Sequence, residues 1–153
     1  MSLLMSGFAS SDPLEPPHQK IGLWQQVVTR NGVAIPMGSS QVCLDQAAEE
    51  KRQQAMYSPC RSLKVTRGPD GSWLYACLRS DGSTRVTRVT GDFDRKIATT
   101  LESAANDRDR VVMTATWLGP CKAGQRGGDV ILPNGVTVNA LDIANAKHAV
   151  SKR

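Results

Sequence analysis

A mostly β domain is predicted: a curved antiparallel meander of about six to eight strands, with one helix packed across it and two disulfides. Three observations lead there. Short β-branched segments are separated by Asn-Gly, Pro-Asp-Gly and Ser-Asp-Gly turns. One twelve-residue run, 46–57, lacks Gly and Pro and is rich in helix formers. The four cysteines, Cys43, Cys60, Cys77 and Cys121, are an even number and include no C-x-x-C pair. That count suits two bridges and an oxidising compartment better than a metal site or a thioredoxin-like centre.

Residues 1–19 read as a leader or signal-peptide remnant. The MSLLMSGFASS start has a short apolar patch but no basic region before it, and three prolines follow within SDPLEPPHQK. The disulfide-stapled domain is placed at 20–125. Its first strand is 21–30, where β-branched residues alternate with polar ones. Asn31-Gly32 turns the chain into VAIPMG, broken at Pro36 and Gly38, and QVCLD carries Cys43 onward. Asp45 is the expected N-cap of the helix, which stops before Pro59. Strands follow at 60–67, 72–79, 84–90, 93–102 and 110–118. Phe93, Ile97 and Leu101 share one face of the fourth of these. In the third, Val86 and Val89 point oppositely, which fits a position near an edge or against ligand or solvent. Residues 126–153 form a Gly-rich connection and a tail. VILPNGVTV can turn at Asn134-Gly135, and the end is either a short helix capped by Asn139 or a frayed tail.

The hairpin Cys60–Cys77 poses a register problem. A four-residue loop, 68–71, sets Arg67 opposite Ser72 and puts both cysteines on one face, close enough to bridge with a local bulge. A three-residue loop, Pro69-Asp70-Gly71, shifts the register by one and turns them to opposite faces. Apolar matching favours the first, and turn chemistry the second. The four-residue form is preferred, with the pairs Cys60–Cys77 and Cys43–Cys121.

In order along the chain stand Gly22-x-Trp24, Cys43, Cys60, Cys77 and Gly119-x-Cys121. This series resembles a family of small exported proteobacterial proteins of unknown function with a G-x-W … C … C … C … G-x-C pattern. The likeness spans about Ile21 to Cys121. It implies a periplasmic or secreted, disulfide-containing domain and no activity.

The 153 residues are 40% hydrophobic, with 5% aromatics and a net charge of +5. No apolar run approaches the ~20 residues of a membrane span. No nucleophile elbow, P-loop or zinc-protease helix is present. His18 and His148 lie in the leader and the tail, beside no nucleophile. No catalytic residue, metal or cofactor is therefore assigned. Lys64, Arg67, Arg85 and Arg88, with Trp73 and Tyr75, form the expected contact surface. The expected function is a non-enzymatic envelope module that binds an anionic lipid or glycan, or an envelope protein. A hydrolase or redox enzyme with an unrecognised site is one alternative. A basic single-stranded nucleic-acid binder is the other, and the disulfides argue against it.

Overall fold

The computed structural model describes residues 14–102 and 110–151. The MSLLMSGFASS start and the 106–109 connector lie outside the described residues. Nine strands run in one antiparallel sheet: β1 (Gly22–Arg30), β2 (Val33–Leu44), β3 (Cys60–Arg67), β4 (Trp73–Arg79), β5 (Thr84–Asp92), β6 (Lys96–Glu102), β7 (Val111–Gly119), β8 (Asp129–Ile131) and β9 (Thr137–Asn139). Their order is β3-β4-β5-β6-β7-β1-β2-β8-β9. Five consecutive strands thus form a meander, and the β1–β2 hairpin adds to it through β1 on β7. Helix α1 (Gln46–Tyr57) links β2 to β3, and α2 (Ala140–Ser151) closes the chain. The tail left open between helix and fray is helical. Asn139 caps it, accepting from the Leu141 and Asp142 amides at 3.0 Å each.

Local chemistry explains most boundaries. Asn31 and Gly32 both take positive φ, 52° and 80°, as a tight two-residue hairpin turn requires. Asp45 caps α1 by accepting from the Ala48 amide at 2.8 Å. The break expected at Pro36 and Gly38 does not end β2. A register shift between Val27 and Thr29 leaves three extra residues on β2, which absorb the proline. The strand expected from Phe93 begins at Lys96 instead. Asp92 accepts from the Asp94 amide at 2.8 Å and its carbonyl from the Arg95 amide at 3.1 Å, so 92–95 is a turn. The weakly patterned 84–92 segment is not at an edge. It lies between β4 and β6, with Val89 buried.

Both expected disulfides form, Cys43–Cys121 and Cys60–Cys77, with Cα separations of 5.6 and 5.2 Å. The register argument behind the second is corrected. Arg67 pairs with Trp73, not Ser72. Gly68 donates to the Ser72 carbonyl at 2.8 Å, and Gly71 has φ 82°. This is the three-residue loop, chosen because glycine accepts the left-handed geometry without strain. The bridge survives because a bulge between Cys60 and Ser62 sets Cys60 opposite Arg79. That extra residue returns Cys60 to the face of Cys77.

The core lies on the sheet face beneath α1. Trp24, Leu44, Ala48, Tyr75, Val89, Ile97 and Ala115 form one buried cluster. Trp24 is fully buried and donates its indole N–H to the Lys20 carbonyl at 2.8 Å. Gly22 has φ 140°, and a Cβ there would collide with the Trp117 indole nitrogen and the Gly119 carbonyl. The Gly22-x-Trp24 pair is thus one packing unit: the glycine admits Trp117, which donates to the Ile21 carbonyl at 3.2 Å. Among the described residues, no helix is long and apolar enough to cross a membrane.

Replacing Cys60 and Cys77 together by serine is expected to lower unfolding free energy by about 3 kcal/mol in the chain-entropy account. Urea titration of oxidised wild type and variant checks this. Equal midpoints would mean that the bulge alone holds the hairpin.

Candidate functional site: a cavity between the sheet and the helix

Side chains alternate across the strands, so the register sorts them by face. Tyr75, Thr87 and Leu101 align in one inner row, and Trp73, Val89, Thr99 and Met113 in the next. With α1, all of these except Trp73 enclose a cavity of about 370 Å³. Leu63, Phe93 and Ile97 complete its apolar wall, while Gln19, Gln26, Arg52 and Arg85 add polar groups. A largely apolar hollow with a few convergent polar groups is the usual form of a small-molecule site.

One end of the cavity is built by α1 and the chain before β1. Glu49 is buried, and its carboxylate receives two bonds from Arg52, each 2.7 Å, and the backbone N–H of Gln19 at 3.0 Å. His18 Nδ1 lies 3.8 Å from the same carboxylate. A charge withdrawn from water needs this degree of pairing. The segment before β1 is therefore part of the packed structure. Lys20 donates its backbone N–H to the Phe93 carbonyl at 3.0 Å, and its ammonium sits 3.9 Å from the centre of the Trp117 ring.

Gln19 itself is 4% exposed and lines the cavity. Its backbone is satisfied by Glu49, but its side-chain Nε2 has no hydrogen-bond partner. A buried donor without an acceptor costs about 1–3 kcal/mol. Tyr75 is buried beside this end. Burial pushes its phenol up to about 12 from 10.0, against a smaller opposing pull from Arg52.

Two larger depressions lack such a donor. One of about 920 Å³ lies beside Cys43–Cys121. The polar groups on its rim are engaged within the fold: Asp45 caps α1, Gln125 accepts from the Lys122 amide at 2.7 Å, and Arg126 pairs with Asp142 at 2.6 Å. The other, about 460 Å³, is an open hollow between α1 and α2, flanked by exposed Lys51 and Gln54.

The six residues expected to form a contact surface divide between faces. Arg67, Trp73, Tyr75 and Arg85 belong to the inner face, and Lys64 and Arg88 to the outer one. Arg67 stacks over Trp73, 4.5 Å from the ring centre. Tyr75 lies under the helix. Arg88 donates to Ser72 Oγ at 2.9 Å and pairs with Asp70 at 3.5 Å. The Ser72 hydroxyl and then its amide, more than the arginine, hold the Asp70 carboxyl below its usual range. Sequence reasoning missed Gln19, Glu49 and Arg52. Glu49 reads as an ordinary first-turn acid on α1, and only the tertiary fold turns it inward. Among the described residues no three His, Cys, Asp or Glu side chains are grouped to hold a metal.

Two measurements follow from this geometry. Glu49→Gln is expected to cost about 3 kcal/mol, the low end for a buried pair because Arg52 remains a third exposed. Chemical unfolding checks it, and an unchanged midpoint would refute the clamp. The fold favours the neutral Tyr75 phenol, so that stabilisation is whole below pH 10 and disappears as pH rises toward 12. Ultraviolet titration of wild type minus Tyr75→Phe should show one phenol ionising near 12. Ionisation at the ordinary value would place Tyr75 in water.

A family described as "Protein of unknown function (DUF3617)" matches residues 15–121. That span holds both disulfides, α1, the first seven strands and every residue that lines the cavity. No curated protein and no solved structure matches the chain. The match covers well over half of the sequence, and the chain belongs to the DUF3617 family.

Proposed function

We propose that this is a non-enzymatic binding module of the bacterial envelope that holds a small, largely apolar molecule between its sheet and α1. The observation that carries this reading is the Gln19 amide: a buried donor without a partner, lining an apolar cavity. A ligand oxygen would supply the missing acceptor. The apolar wall would supply affinity at roughly 25 cal/mol per Å² of surface withdrawn from water. The two disulfides support an oxidising, extracytoplasmic setting.

The test uses a neutral apolar fluorophore, N-phenyl-1-naphthylamine. Saturable one-to-one binding is expected, with loss of at least tenfold in affinity when Thr99→Trp fills the cavity. Circular dichroism of the variant confirms that it folds. No saturable binding, or binding indifferent to Thr99→Trp in a folded protein, would overturn the proposal.

A further inference from the structure

The cavity reaches the surface beside Pro59 and Arg85, both exposed. Arg85 is on the inner face, opposite Cys77. It makes no ion pair with any described residue, and neither do Arg30, Arg61, Arg79 or Arg110. Register brings these five exposed arginines to one end of the sheet. Cys60 pairs with Arg79 and Arg30 with Val111, while Arg110 donates its amide to Asn31 Oδ1 at 3.0 Å. The described acids there are Asp81, whose carboxylate accepts from the Ser83 amide at 2.9 Å, and Glu102, which pairs with Val86 at the end of β6. The β1–β2 hairpin adds apolar surface at the same end: Val33, Ile35 and Met37 are 70%, 37% and 59% exposed.

We propose that the ligand is a single-chain amphipathic anion, held with its charged head at Arg85, its apolar body against Tyr75, Val89, Ile97, Leu101 and Met113, and an oxygen on its chain facing the Gln19 amide. This rests on the binding reading above and adds the sign and position of the charge. An arginine at the mouth of an apolar hollow offers a planar, always-charged donor to a carboxylate or phosphate. The surrounding arginines raise the local concentration of anions. The apolar hairpin beside them suits contact with the surface from which such a molecule comes, because exposed apolar residues flanked by basic ones favour a lipid interface.

The experiment compares dodecanoate, dodecyl phosphate and dodecanol on the intact oxidised chain by isothermal titration calorimetry, below their micellar concentrations. At least one anion is expected to bind tenfold or more tightly than the alcohol, and the tighter anion identifies the head group. Arg85→Gln is expected to remove that preference, so that the anions and dodecanol bind the variant equally. Arg85→Lys should retain part of it. Equal binding of anions and alcohol, or a preference that survives Arg85→Gln, would overturn the proposal while leaving the binding module intact. Absence of binding by all three, together with failure of the fluorophore test, would remove both readings.

Discussion

The inner face depends on a carboxylate that the fold has taken out of water. Glu49 sits on the first turns of α1, where a charge normally points to solvent. Here it receives the Arg52 fork and the Gln19 backbone N–H. One side chain thereby ties the entering chain to the helix. Without Arg52 the burial would cost several kcal/mol, so the three groups stand or fall together. The same contact carries the Gln19 side chain into the cavity, where its amide remains without a partner. The stabilising clamp and the binding donor are two ends of one residue.

The disulfides hold the two margins of this arrangement. Cys43–Cys121 joins the end of β2 to the chain leaving β7, across the start of β1. Cys60–Cys77 fixes β3 at the point where the chain leaves α1. Between them the chain is tethered on each side of the helix. Ala55 is the small residue that α1 presents to this hollow.

Much of the architecture was legible in the residues. Turn chemistry at Asn31-Gly32 and Gly71, the Asp45 cap and the cysteine pairs each act over a few positions or over one covalent bond. The hairpin shows where such reading stops. Apolar matching pointed to the wrong register, because a bulge at Arg61 lets the strand satisfy both the turn and the bridge. A bulge leaves no local signal when its cause is a partner on another strand. The site was less legible still. Lys64 and Arg88 look like neighbours of Arg67 and Arg85 in composition, yet pleating sends them to the other face. Gln19 stands among prolines, and nothing near it in sequence announces a buried amide. Its role arises from Glu49, thirty positions away.

The central claim, that this cavity receives a molecule, is tested most directly at the Gln19 side-chain amide by nuclear magnetic resonance. Its two protons can be assigned by their loss in Gln19→Leu. The account predicts that a saturating single-chain anion carrying an oxygen on its chain, a hydroxydodecanoate, shifts them downfield and slows their exchange with water, as a hydrogen bond forms to a donor that had none. Protons that stay in place while the ligand binds elsewhere would contradict it.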